Sequence, residues 1–339
     1  MKFSVCLPTG FEGVMHPIPF VAPEDFVRLG RKCEALGYHS VWGNDHITTQ
    51  AYVRDLFPGT PPNFYEVMTV LSFIAASTTT LKVGTAVCVV PMRDPLWIAK
   101  QFSTLDRLSG GRAILGVGIG AYREEFEAWA PRLRAQAQRG EMLEEGIQVI
   151  RRLLTERVVD HAGKYYAYSN VEMYPKPLQD PFPVFFGGHN VEALERAAKW
   201  GQGWLPGWRP WPELAERIST LKDRCEQLGR PRDAVEVAVE FSVTIDKTPE
   251  AAEKRYMDSG LVAHRKSLAY TGRDLSKQVV CNLVGSPDQI LEKVEGVRQL
   301  GVDHCCALMF PADTMAEYEE QIEWFAKTVM PQASGAGKA

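Results

Sequence analysis

The stretch GRAILGVGIG, Gly111 to Gly120, admits two readings, and the choice between them decides the fold. Gly116-x-Gly118-x-x-Ala121 formally fits the dinucleotide fingerprint G-x-G-x-x-G/A, and Glu141 lies about 20 residues on, where a ribose-binding acid belongs. That acid should end a second strand, however, and Glu141 sits inside the helical pattern RGEMLEEGIQVIRRLL. The nucleotide-binding unit also normally opens its domain, whereas three strand-like runs precede this one. A conventional NAD dehydrogenase is therefore set aside, and AILGVGIG reads as the fourth strand of a longer series.

Working outward from it, FSVCLP, HSVWG and LKVGTAVCVV read as strands one to three. PVFFGG, GWLP, VEVAVEFSVTI and HCCALMF read as strands five to eight. Helical patterns separate them: Pro23 to Leu36 stopping at Gly37, Tyr65 to Ala76, a helix opened by Asp94-Pro95, Arg139 to Thr155, Asn190 to Trp200 and Pro212 to Leu228. Ser286 with Gln289, and Thr314 with Glu317, have capping-box spacing. Strands joined by helical crossovers run parallel, and eight such units favour a closed (β/α)8 TIM barrel over an open doubly wound sheet. Two segments exceed plain connectors: a hairpin excursion over Glu156 to Asp180, and a helix with a polar stretch over Thr248 to Gly285. Tyr52 to Pro62 reads as a loop. Residues 1–330 are expected to form one barrel domain with small insertions, and 331–339 a disordered tail.

The chain has 339 residues, a formal net charge of −4 and 45% hydrophobic residues, the balance of an ordinary globular protein. The charge gives no reason to expect nucleic acid or an anionic membrane as partner. No signal-peptide pattern opens the sequence and no apolar run is long enough to span a bilayer. The seven cysteines are scattered without a C-x-x-C pair, so neither a disulfide framework nor a metal site is expected, and a cytoplasmic location is.

A barrel enzyme works at the C-terminal ends of its strands. SVWGNDHITT, Ser40 to Thr49, carries Asn44, Asp45 and His46 to that mouth. If Trp42 faces inward, strand alternation turns Asn44 and His46 inward as well, and sends Asp45 toward the helix layer or loop amides. His46 is then the group that exchanges a proton near neutral pH, and Asp45, with Asn44, a local orienter of loop or cofactor groups; the plain alternative is a capping aspartate and a loop histidine. Gly116, Gly118 and Gly120 share one strand face, which leaves a hollow wide enough for a flat ring or only allows tight packing. Gly187 and Gly188 end the fifth strand at a helix N-terminus, a seat for a phosphate or a plain turn. Cys88 reads as a small buried hydrophobe sooner than as a nucleophile. In GWLPGWRPW, Trp204, Trp208 and Trp211 with Arg209 could wall a substrate cleft or hold an anionic group, Trp208 and Arg209 being the substrate-binding candidates, or could equally pack a subunit interface.

Taken in order, LGYHSVWGNDHI, STLDRLSGGRAILGVGIG, GKYYAYSNVEMYPKPLQDPFPVFFGGHN, GQGWLP and LVGSPDQILEKVEGVRQLGVDHCCALMF resemble the successive blocks of the luciferase-like flavin and deazaflavin oxidoreductases. The resemblance implies a (β/α)8 barrel, usually dimeric. It implies a flavin-like ring across the mouth, against a non-proline peptide, often cis, at the end of the third strand, here among Val87, Cys88 and Val89. It places the cofactor phosphate at Gly187, Gly188, His189 and Asn190, with Asn44, Gly118 and Gly120 near the ring. The GVGIG strand is similar to the branch that uses the deazaflavin coenzyme F420; relatives using reduced FMN more often carry hydroxyl residues there. Asp45-His46 resembles the sugar-phosphate dehydrogenases of that branch. The chain departs from them at Ala121, where they carry an acid, and at Gln50, near which they carry a tryptophan. The expectation is thus an F420-dependent oxidoreductase of another small molecule, with His46 and Asp45 catalytic. The alternatives are a two-component FMNH2-dependent monooxygenase, served by a separate flavin reductase, and a non-catalytic flavin-binding barrel.

Overall fold

The computed structural model describes residues 1–10, 14–16, 21–59, 61–133, 137–269, 272 and 274–333. Eight parallel strands close into a ring: β1 (Lys2–Cys6), β2 (Ser40–Gly43), β3 (Lys82–Thr85), β4 (Ala113–Gly118), β5 (Val184–Gly187), β6 (Gly203–Leu205), β7 (Glu236–Ile245) and β8 (His304–Met309). Each pairs with its successor, and β8 pairs back to β1. These are the eight runs picked out by their apolar, β-branched character. The side chains obey the period of two. Cys6, Trp42, Ile114, Phe185, Leu205, Ala238 and Cys306 fill the interior, while Val5, Val41, Val83, Leu115, Phe186, Trp204, Val237 and Cys305 pack outward under the helices.

The helices start where the caps direct. Asp94 Oδ1 accepts from the Leu96 amide, 2.8 Å, at the head of Pro95–Ser109. Ser286 and Gln289 form the expected reciprocal box before Pro287–Gln299. Thr314 caps Met315–Thr328, but Glu317 reaches past it to the Asp313 amide, 2.8 Å. The excursion after Arg139–Thr155 is an antiparallel hairpin of Val159–Ala162 and Ala167–Val171. Three elements depart from the sequence reading. Tyr52 to Pro62 opens as a helix, Ala51–Leu56. Arg123–Trp129 is a second short helix at the mouth. The excursion after β7 holds two helices, Pro249–Asp258 and Gly260–Ser267, and a short strand, Leu283–Gly285, paired with the far end of β7. Of the expected tail, 334–339 lie outside the described residues.

The end of β3 positions the site. β3 pairs with β4 at Gly84–Ile114, and the two-residue strand Cys88–Val89 resumes the pairing at Cys88–Val117. Four residues on one side thus span three on the other, which is a β-bulge. Inside it the Ala86–Val87 peptide is cis. Thr85 Oγ1 donates to Gly116 O, 2.8 Å, and accepts from Gly116 N–H, 3.1 Å, so the hydroxyl satisfies groups the bulge takes from the ladder.

Candidate active site at the barrel mouth

Of the two uses that the glycine spacing of β4 allowed, an open hollow or tight packing, the structure shows tight packing. A Cβ on Gly116 would lie 1.9 Å from Thr85 O. One on Gly118 would lie 2.5 Å from Val87 Cγ2, and one on Gly187 2.5 Å from Val87 Cγ1. The hollow expected over the glycine face is therefore filled by the chain itself. The bulge folds over β4, and Val87 stands wedged between Gly118 and Gly187 as a partly exposed apolar ledge. Gly120, with φ 80°, lies against Val89.

Asn44 and Asp45 hold that ledge from two sides. Asn44 Nδ2 donates to Ala86 O, 3.0 Å, and its Oδ1 faces the Cys6 thiol at 3.4 Å. Asp45 points outward, as alternation requires. It accepts from the Val89 amide, 2.9 Å, and from Arg93 Nε and Nη2 at 3.0 and 2.6 Å. Asp45 is thus buried in an ion pair that pins the bulge, holding loop groups as its outward turn implies, and makes no hydrogen bond with His46. Burial opposes the Arg93 charge, but Asp45 more than offsets this and holds the guanidinium above its usual pKa. Cys88 is buried, and desolvation, with Asp45 adding to it, pushes its thiol up. It is a packing residue, inert as a nucleophile.

The partner of His46 comes from 79 residues away. Helix Arg123–Trp129 docks on the loop after β2: Glu124 accepts from the Ala51 amide, 2.9 Å, and Glu125 Oε1 meets His46 Nδ1 at 2.8 Å. Gln50 Nε2 lies 2.8 Å from the same nitrogen and donates to Glu125. Gln50 and Glu125 are both buried, at 0% and 3% exposure. A carboxylate against Nδ1 fixes the orientation of the ring. A carboxylate therefore does reach the histidine, from Glu125 and not from position 121. Gln50, at a departure from the sugar-phosphate pattern, completes the cluster. Aromatic rings surround it: Phe64 stands edge-on to His46 at 5.6 Å, and Tyr122, 6.3 Å from His46, stacks on Tyr52 at 5.9 Å. Tyr52 OH meets His264 Nδ1 at 3.0 Å, and Tyr122 OH meets Ser267 Oγ at 2.9 Å. These bonds clasp helix Gly260–Ser267 to the loops after β2 and β4.

At the β5 end, exposed Gly188 has φ 116°. The Asn190 side chain is spent on capping Val191–Trp200, its Oδ1 accepting from the Ala193 amide at 3.0 Å. Arg217, which the sequence reading missed, donates to the His189 carbonyl beside this helix N-terminus and is paired with Glu213 at 2.9 Å. Trp208 is 0% exposed within the main core under the helices, a correction of its reading as a cleft wall. Arg209 is also buried, 3.4 Å from Gly272 O and 3.9 Å from Glu213. Among the described residues no group of three or more His, Cys, Asp or Glu could hold a metal, and no helix is long and apolar enough to cross a membrane.

With this geometry in hand, the sequence matches the luciferase-like monooxygenase family over residues 1–304. The chain belongs to that family. It is 30% identical over 245 residues to the uncharacterized protein Rv0940c of Mycobacterium tuberculosis, covering 70% of this chain and 82% of that one. It is 25% identical over 301 residues to an F420-dependent glucose-6-phosphate dehydrogenase of Kineococcus radiotolerans, covering 84% and 86%. It is 24% identical over 297 residues to an FMNH2-dependent dimethylsulfone monooxygenase of Pseudomonas putida, covering 79% and 78%. Among solved structures, the monooxygenase RslO1 of Streptomyces bottropensis superposes with a TM-score of 0.79 over 98% of this chain and 99% of that one, at 21% identity. The luciferase-like barrel is thereby shown, and the chain falls among oxidoreductases that use either F420 or a flavin.

Proposed function

We propose that this chain is an F420-dependent oxidoreductase, in which a hydride moves between the deazaflavin and the carbon of a small organic substrate while His46 exchanges the accompanying proton. The observation that carries the reading is the His46–Glu125–Gln50 cluster at the ends of β2 and β4, next to the Val87 ledge. A hydride transferred to or from a C–O carbon requires a proton to move at the oxygen. A histidine whose ring is held at Nδ1 by a buried carboxylate is positioned for that step.

The residues present fit such a cofactor. Val87 offers an apolar ledge across the mouth, held by Asn44 and Asp45. Gly187 to Asn190, at the head of Val191–Trp200 and with Arg217 against the His189 carbonyl, suit an anionic group. F420, when bound, would accept the hydride in its oxidised form or donate it in its reduced form; the chain supplies the ledge, the anion seat, the aromatic wall and the proton carrier. The β4 end, GVGIG, offers no side-chain hydroxyl, which favours the deazaflavin over reduced FMN. Glucose 6-phosphate is disfavoured by the two departures from the sugar-phosphate pattern, Ala121 and Gln50.

Parallel titrations of the purified chain with F420 and with reduced FMN test the reading. Tighter binding of F420, by about tenfold or more, is expected. Preference for FMN, with an oxygen-dependent product once a flavin reductase is added, would replace this proposal with the two-component monooxygenase of the P. putida relative.

A further inference from the structure

Two arginines, Arg112 and Arg265, are more than nine-tenths buried, at 8% and 5% exposure, with no carboxylate in ion-pair range among the described residues. Arg112 is saturated instead. It donates to Ser109 O, Thr78 Oγ1, Leu81 O, Ala75 O and Thr78 O, all within 3.1 Å. Arg265 is not. Its Nη2 donates to Ser242 Oγ at 3.1 Å and faces Met309 Sδ at 3.6 Å, and its Nε has no acceptor. A guanidinium carries five N–H donors in a fixed fork, and burying one without partners is unfavourable. Arg112 is an arginine built into the fold; Arg265 is one left open.

What it opens onto is the barrel mouth. Ser242 lies on β7 and Met309 ends β8; Cys6, which ends β1, feels the Glu240 carboxylate of β7 and, with opposite sign, the Arg265 guanidinium. The helix that carries it cannot swing away freely. His264 and Ser267 are tied to Tyr52 and Tyr122, and a Cβ on Gly260 would meet Val14 O at 1.8 Å. The same clasp leads to His46, because Tyr122 borders its ring. A polar fork over β7 and β8 is therefore carried by the same helix that is clasped to the aromatic wall over β2 and β4.

We infer that Arg265 receives a carboxylate of the substrate, whose apolar body lies against Tyr52, Phe64 and Tyr122 beside His46. The inference rests on the proposed function for the place of the reacting carbon, and it narrows the substrate class to small apolar or aromatic acids. Bidentate pairing would fill the open donors and neutralise the buried charge.

Isothermal titration of the full chain with benzoate and with benzamide, its neutral counterpart, tests this without turnover. Benzoate should bind the wild-type chain about tenfold tighter than benzamide. R265Q should lose that preference, R265K should retain part of it, and R265Q should melt at or above the wild-type temperature while binding F420 as the wild type does. Equal binding of the two probes, a preference surviving in R265Q, or a clear fall in its melting temperature would each overturn the inference. Weakened F420 binding by R265Q would assign the guanidinium to the cofactor and likewise overturn it. Failure of the wild-type chain to bind F420 would instead strike the proposed function and leave the benzoate comparison standing.

Discussion

Replacing Gly118 by alanine sets a methyl group where Val87 stands. The new Cβ would lie 2.5 Å from Val87 Cγ2, where 3.4–4 Å is ordinary contact, so about 1 Å must be recovered. β4 is held on both sides, by β3 and Cys88–Val89 and by β5, and cannot retreat. Val87 cannot rotate away cheaply, because its other methyl already occupies the space over Gly187. Overpacking of this kind costs about 1–3 kcal/mol. With roughly 2.1 cal/mol/K of unfolding entropy per residue, a chain of 339 residues loses about 1.4 °C per kcal/mol, so G118A should melt about 1.5–4 °C lower. V87A removes the obstruction at a cost of about 1 kcal/mol for a partly exposed valine. The double variant G118A/V87A should then be no less stable than V87A alone, a coupling of at least about 1 kcal/mol. Calorimetry and urea denaturation of the four proteins measure it. Additivity within about 0.5 kcal/mol would show that Val87 is not wedged over Gly118 and would refute the ledge.

The remaining predictions concern the mouth and its surroundings. H46A should keep F420 binding within a few-fold while turnover falls about a hundredfold or more; E125Q, which keeps the shape and removes the charge, should lose a smaller factor of about ten, chiefly in kcat. D45N should act on stability before chemistry, costing about 2–3 kcal/mol in denaturation, since Arg93 loses its buried partner but keeps Glu66 at 3.0 Å. His16 is buried against Tyr318, neither ring nitrogen has a hydrogen-bond partner, and burial lowers its pKa to about 3. The unfolded chain therefore takes up a proton near pH 6.5 that the folded chain refuses. The stability this neutral ring contributes is present above that pH and is lost as pH falls toward 3, by up to about 1.4 kcal/mol per pH unit. H16F should flatten that part of the acid limb in denaturation curves taken from pH 7 to 4.

How much of this was legible in the sequence depends on range. The eight strands were, because each keeps its apolar alternation over three or more residues and ends at a turn signal. The outward turn of Asp45 was as well, since it follows from Trp42 facing in. That Gly116 and Gly118 share a face was readable, but what fills the space above them was not, because the bulge that brings Val87 there is a difference in count between paired strands. Glu125 and His46 meet only when two mouth loops dock, and nothing local to YREEFEAW announces it. Trp208 misled because aromatic clusters look alike whether they wall a cleft or pack a core. The strand Leu283–Gly285 was missed because three residues paired to one end of β7 carry too short a pattern.

The most direct measurement is a crystal structure of the chain with F420 bound. The ring should lie on Val87, its phosphate near Gly188 and His189, and its C5 on the His46 side of the mouth. A ring bound elsewhere on the barrel, or lying with C5 turned away from a distant His46, would contradict the account.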